Sequence, residues 1–134
     1  MTTNTTTSSD DESKTVYQLT FYTPPTHTQS ILSALHGNTS AGIWPNPTDG
    51  PGASSPPKYV DVAFITRGTG QFRPSEHANP HIGKPGTLEV LEEDKVEMVV
   101  VGKKAAKRAV EQLRAAHPYE VVAFFVVKCE PEFF

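Results

Sequence analysis

The sequence has a single cysteine, no long apolar run and no excess of basic residues, and each shortage excludes a class of protein. Cys129 alone cannot form an intramolecular disulfide or a cysteine-based zinc site. The longest apolar run, residues 121–127, is far shorter than the roughly 20 residues that span a bilayer. The formal net charge is −3, whereas nucleic-acid-binding domains carry a basic face. We therefore expect neither a membrane nor a nucleic acid as a partner.

Apolar residues are also few, at 37% of the chain, because two polar stretches dilute them. Residues 1–14 are mainly threonine, serine, asparagine and acid, which predicts a disordered tail. This tail lacks the basic segment and apolar block of a secretory signal, so we expect a cytoplasmic protein. Residues 45–57 are rich in proline, glycine and serine and predict a flexible loop inserted within one domain, residues 15–134.

The remaining segments have legible periodicity. Alternating or wholly apolar residues predict four strands, at residues 16–22, 59–66, 95–101 and 121–127, and a further short strand at 87–92. Apolar residues at helical spacing predict one helix around Ile31 and Leu35 and a second that ends at His117-Pro118. The order β-α-β-β-α-β predicts a ferredoxin-like sandwich, with both helices on one face of an antiparallel sheet and the first and third strands central.

The last predicted strand is apolar on both faces, which requires cover on both sides. Val122, Phe124 and Val126 alternate with a second apolar set that includes Phe125 and Val127. The two helices cover only one face of the sheet. We therefore expect a homo-oligomer in which a second copy of the chain covers the other face.

The most distinctive run is the glycine-rich segment at residues 68–74, which begins an irregular stretch predicted for residues 68–86. Backbone N–H groups near glycines can form a nest for an anion, and neighbouring arginines would add positive charge. The alternative is a structural loop shaped by glycines with positive φ. The candidate ligand-binding residues are Arg67, Gly68, Thr69, Gly70, Gln71 and Arg73.

Histidines and a carboxylate suggest a metal site. His77 and His81 have ligand spacing, although Pro80 excludes a regular helix there, and two ligands are too few for structural zinc. His117 and Glu120 lie in the turn after the second helix, where a helix C-cap is the alternative role. The candidate metal ligands are thus His77, His81, His117 and Glu120, with a divalent ion as the candidate cofactor and a second subunit completing the site.

Four runs carry a resemblance to a known family: residues 17–22 (YQLTFY), 68–74 (GTGQFRP), 78–83 (ANPHIG) and 116–120 (AHPYE). They resemble the small domain of the Nif-three-like dinuclear-metal proteins, which is similar in fold to CutA and the PII signal-transduction proteins. The resemblance spans residues 16–128. It implies a trimer, because CutA and PII proteins are trimers. The metal ligands of the Nif-three-like proteins belong to a larger domain, so none is carried over to this chain.

The leading hypothesis is an oligomeric, CutA/PII-like regulatory module that binds a small ligand or a metal and has no catalysis of its own. The alternative is a metal-dependent hydrolase with a site between subunits, formed by His77, His81 and His117 of neighbouring chains. A third interpretation is an interaction domain that docks on a partner protein without any ligand.

Overall fold

The structure is a computed structural model, which describes residues 12–134. The chain forms four strands and two α-helices in the order β1 (Val16–Thr23), α1 (Thr28–Asn38), β2 (Phe64–Phe72), β3 (Glu89–Val101), α2 (Lys103–Ala116) and β4 (Phe124–Lys128). Short 3₁₀ helices, Pro25–His27 and Pro131–Phe133, precede α1 and follow β4. None of the helices in this part of the chain is long and apolar enough to cross a membrane.

The strands form one antiparallel sheet in the order β2-β3-β1-β4. The first and third strands are therefore central, and the predicted ferredoxin-like sandwich is confirmed. Alternation along β1 turns Leu19 and Phe21 towards the helices, where both are at most 1% exposed. They pack with Leu35 of α1 and Leu113 of α2 in a single core.

The second strand differs from its prediction. Residues 59–66 alternate in the sequence, yet Asp61 has φ of 57°, a left-handed conformation that interrupts an extended chain. Tyr59 forms only an isolated bridge with Trp44, and the strand runs from Phe64 to Phe72. The predicted irregular stretch is thus wrong over residues 68–72. Pairing with β3 supplies the ladder hydrogen bonds that outweigh the weak strand preference of two glycines.

The third strand is longer than predicted, since the two segments expected at 87–92 and 95–101 form one strand of 13 residues, Glu89–Val101. Its second half pairs with both neighbours, whereas residues 89–93 pair only with residues 68–72 of β2. This two-stranded section, which we call the ribbon, extends beyond the end of the four-stranded sheet. The ribbon positions the cavity described below.

The last strand begins three residues later than predicted, at Phe124 instead of residue 121. As expected, its two faces have different surroundings. Phe124 packs at the edge of the core, with the Arg114 guanidinium 5.2 Å from its ring centroid. Phe125 and Val127 point to the face without helices and are 58% and 56% exposed. We call this the open face of the sheet.

The proline-rich insert is held at its neck by a hydrogen bond from the Trp44 N–H to the Tyr59 carbonyl, 3.0 Å long. Within the loop, the Asn46 amide donates to the carbonyls of Gly52, Ser55 and Pro56. The predicted tail lies mostly outside the described residues. Its last part contacts the domain, since Glu12 pairs with Lys103 at 3.1 Å.

Candidate ligand-binding cavity

A cavity of ≈ 330 Å³ lies where the ribbon meets the segment that joins α2 to β4. Phe72 and Glu93 line it from the ribbon, Pro80 and Ile82 from the loop at residues 74–86, and Tyr119 from the joining segment. By strand alternation, Phe72 and Glu93 lie on the open face of the sheet. The walls are mainly apolar, and the volume is at the lower end of the roughly 300–1,000 Å³ typical of small-molecule sites.

His117 fixes the joining segment against the sheet. Its Nε2–H donates to the Tyr22 carbonyl at 2.7 Å, and its Nδ1 accepts the Tyr119 N–H at 3.1 Å. A carbonyl only accepts and an N–H only donates, so these two bonds specify the neutral ring with its proton on Nε2. Burial lowers the pKa of His117, which favours the same neutral form. The helix ends at this residue because Pro118 follows it.

Glu93 lies over the backbone of β2 at Gly70. A Cβ atom built on Gly70 would overlap the Glu93 carboxylate, so this glycine provides the space in which the side chain folds. No hydrogen bond or ion pair joins this carboxylate to another described residue. Burial raises the pKa of Glu93, because no neighbouring cation compensates for the lost solvation.

Tyr119 contributes an aromatic wall and a buried hydroxyl. Its ring packs edge-on against Phe72, with centroids 6.1 Å apart, and lies 6.2 Å from the ring of His81. Its hydroxyl is buried and has no hydrogen-bond partner among the described residues. Burial raises the pKa of this hydroxyl, and the nearby carboxylate of Glu93 adds to the effect. An unpaired buried hydroxyl is uncommon in folded proteins, since most such groups are bonded.

The loop at residues 74–86 closes one side of the cavity and is tied at both ends. The Gly86 N–H donates to the Pro74 carbonyl at 2.8 Å, which joins the two ends of the loop. The Asn79 N–H donates to Glu120 at 2.8 Å and so connects the loop to the joining segment. The loop therefore holds a defined position over the ribbon.

The candidate metal ligands are only partly brought together. His81 and Glu120 both line the cavity, but the His77 side chain is 86% exposed and pairs with Glu76, at 3.7 Å. Both ring nitrogens of His117 are occupied by hydrogen bonds. Within residues 12–134, no group of three or more potential ligand side chains could hold a metal ion. A metal site would thus need ligands from a second subunit.

The candidate anion-binding residues are dispersed by strand alternation. Gly68, Thr69 and Gly70 lie in β2 with extended backbones, so the predicted glycine loop with positive φ is wrong and no nest forms there. Arg67 points to the helix side, where its Nε donates to buried Asp94 at 2.6 Å. The other two candidates lie apart from each other: Gln71 lines the cavity, whereas Arg73 reaches the Gly86 carbonyl at 3.5 Å.

The Arg67–Asp94 pair is one part of a network on the helix side of the ribbon. The Thr28 hydroxyl donates to the second oxygen of Asp94 at 2.6 Å. The hydrogen bond from the Arg67 guanidinium, and to a smaller extent that from Thr28, lowers the pKa of Asp94. This carboxylate is thus satisfied, whereas that of its neighbour Glu93 on the other face is not.

Sequence reasoning missed Glu93 as a candidate site residue. The signal was present, because alternation along the third strand places residues 89, 91 and 93 on one face. Its proximity to Gly70 depends on the register between β2 and β3, which the sequence pattern does not specify.

No protein-family profile matches the chain. A search of curated proteins finds a Halalkalibacterium halodurans protein named GTP cyclohydrolase 1 type 2 homolog, 37% identical over 112 residues. A Bacillus cereus protein related to NIF3 superposes on 87% of the chain, with a TM-score of 0.66 and 26% identity. The chain is similar to part of each of these two proteins. The match covers 83% of this chain but 26% of the curated relative, so the chain corresponds to about a quarter of such a protein.

The fold is also that of smaller proteins. The divalent cation tolerance protein CutA from Archaeoglobus fulgidus superposes with a TM-score of 0.56 at 11% identity, covering 86% of this chain and 84% of that one. At this identity the likeness concerns the fold alone. The resemblance inferred from the four sequence runs is confirmed, both for the NIF3-related proteins and for the CutA-like fold.

Proposed function

We propose that this chain is a small-ligand-binding module, with the cavity between the ribbon and the joining segment as its binding site. The observation that carries the proposal is a part-buried carboxylate without a partner, Glu93, inside an apolar cavity of ligand size. Such convergence of apolar walls and a few polar groups is typical of small-molecule sites. The shifted pKa of Glu93 supports the same location, since perturbed groups cluster at functional sites.

We further propose that the module works as a homo-oligomer, with a trimer as the expected form, in a regulatory role. The support is the open face, where Phe125, Val127 and Phe64 are 58%, 56% and 66% exposed. These large apolar side chains lie on both edge strands of one sheet face, and covering them with a second copy of the chain would remove apolar surface from water. Phe72 and Glu93 of the cavity wall lie on the same face, so a subunit packed there would lie near the cavity. Light scattering at micromolar concentration tests the assembly, and a wild-type monomer would contradict it.

A fragment screen tests the ligand-binding function. Ligand-observed NMR with the wild-type protein should find fragments that bind, and Ala78→Phe, which places a ring in the cavity, should abolish that binding. Ala53→Phe is the matched control, because it adds the same side chain on the exposed proline-rich insert. Fragments that bind equally to Ala78→Phe, or a screen without any binder, would contradict the proposal.

The metal-dependent hydrolase is the second candidate, and its support is the presence of His81 and Glu120 together in the cavity. It requires an intersubunit site, since His117 is already bonded through both nitrogens. Metal analysis of protein purified without a histidine tag tests it. Stoichiometric zinc, copper or iron that is lost in His81→Ala would favour this candidate over a metal-free module.

A further inference from the structure

The charges around the cavity restrict what it can bind. Its lining contains two carboxylates, Glu93 and Glu120, and one imidazole, His81, and none of the described lining residues is lysine or arginine. The two nearest arginines do not line the cavity: Arg67 lies on the opposite side of the ribbon with Asp94, and Arg73 reaches the Gly86 carbonyl at 3.5 Å. An anionic ligand would therefore meet like charges without a counter-ion, which opposes its binding.

Glu120 is exposed and already accepts one hydrogen bond, from the Asn79 backbone, whereas Glu93 is part-buried and accepts none from the described residues. Glu93 is therefore the carboxylate that gains more from a donor on the ligand. A carboxylate in a part-apolar site gains most from a charged donor, since such hydrogen bonds are about twice as strong as neutral ones. The nearby walls are the rings of Phe72 and Tyr119 and the proline ring of Pro80. Aromatic faces attract cations and pack well against flat rings.

We propose that the cavity selects a small cationic ligand with a flat apolar body, such as an aromatic amine or amidine, whose N–H groups donate to Glu93. The inference rests on the proposed ligand-binding function and names the class of its ligand. A volume of ≈ 330 Å³ fits one or two rings. The ring would lie against Phe72 and Tyr119, which already contact each other, and its positive end would point towards Glu93.

A charge series of nearly equal shape tests the proposal: benzamidinium, benzamide and benzoate. Each is titrated into isotopically labelled wild-type protein, and the NMR shifts of Phe72 and Tyr119 are followed. A charge-assisted hydrogen bond predicts that benzamidinium binds about tenfold more tightly than benzamide. Benzoate should show no saturable binding.

Glu93→Gln should reduce the preference for benzamidinium over benzamide to roughly twofold or less, because the amide keeps the shape but not the charge. Glu92→Gln is the matched control. Its carboxylate is the adjacent one in β3, it is exposed, and alternation places it on the other face of the ribbon, so the preference should persist. Backbone NMR spectra verify that both variants are folded. If Glu93→Gln does not fold, the titrations of wild-type protein with the three compounds still test the preference for a cation.

Two failures are distinguishable. If benzamide or benzoate binds as tightly as benzamidinium, if Glu93→Gln keeps the preference, or if benzamidinium does not bind although other fragments occupy the cavity, the cationic class is wrong. If no fragment of any charge binds there, the small-ligand function itself is wrong.

Discussion

Replacing Tyr119 by phenylalanine should stabilise the free protein, although most substitutions of part-buried residues destabilise. The hydroxyl is buried and has no hydrogen-bond partner among the described residues. Burying such a group without a bond costs roughly 1–3 kcal/mol in protein mutational data. Removing one oxygen atom leaves a small void, whose cost is on the order of 0.3 kcal/mol. The ring contacts with Phe72 and His81 are retained.

The expected net gain for Tyr119→Phe is about 1 kcal/mol, which corresponds to a rise in Tm of roughly 3–5 °C for a domain of this size. Urea and thermal unfolding at one fixed protein concentration measure it, because assembly makes Tm concentration-dependent. Tyr59→Phe is the control. Its side chain is 67% exposed, so removing its hydroxyl should change stability by about 0.5 kcal/mol or less.

The pH dependence gives an independent check on Tyr119. Burial raises the pKa of its hydroxyl, so the folded state holds the proton more tightly than the unfolded chain. The corresponding stability is present below the ordinary tyrosine pKa of about 10 and is lost as pH rises through the folded-state value. The alkaline loss of stability should therefore be smaller in Tyr119→Phe. If Tyr119→Phe instead lowers the free energy of unfolding by about 1 kcal/mol or more at neutral pH, the reasoning is refuted, because the Tyr119 hydroxyl must then be hydrogen-bonded in solution.

Three further predictions follow from the sheet. Gly70→Ala should displace the Glu93 carboxylate and weaken benzamidinium binding several-fold. Gly68→Ala is the control and should leave binding unchanged, because its added methyl group would meet no atom within 4 Å. Equal effects of the two substitutions in NMR titrations would contradict this prediction. Phe125→Glu should dissociate the oligomer and leave a folded monomer, because the Phe125 side chain is exposed on the open face. Phe124→Glu should unfold the chain, because the Phe124 side chain packs on the core. Light scattering measures the dissociation, and circular dichroism measures the unfolding. A lowered pKa means that the stability from ionised Asp94 is present above its unfolded pKa of about 3.9 and is lost as pH falls through the folded value. Asp94→Asn should thus lower stability at pH 7 but much less at pH 3, and an equal loss at both would contradict the assignment.

The sequence was sufficient for the fold because each core element carries its own local signal. The alternation of Val96, Met98 and Val100 marked the third strand, and all three residues are at most 2% exposed. His117-Pro118 marked the end of the second helix at the observed position. Element order and the handedness of crossovers then fixed which strands are central.

The second strand was placed wrongly because its local preferences oppose its final structure. Residues 59–62 resemble a strand, but the left-handed backbone at Asp61 ends any extension there. Gly68 and Gly70 resemble a loop, but pairing with β3 makes them strand. Tertiary pairing decides such segments, and a single sequence contains no direct record of it.

The candidate site was only partly predictable for the same reason. Gln71, His81 and Glu120 were singled out from the sequence, and all three line the cavity. Glu93 was missed, because its proximity to Gly70 depends on the register between β3 and β2. The chemistry of a site can be guessed from residue types, but which groups share a cavity is a property of strand register.

The ribbon also separates the residues that stabilise the fold from the residues that line the cavity. The core lies under the four-stranded part of the sheet, whereas the cavity walls come from the overhanging strand pair, the loop at residues 74–86 and the joining segment. A substitution in that loop can therefore change the shape or charge of the cavity without removing a core contact. Relatives built on this plan are free to diverge in the shape and charge of this cavity while the same sandwich continues to fold.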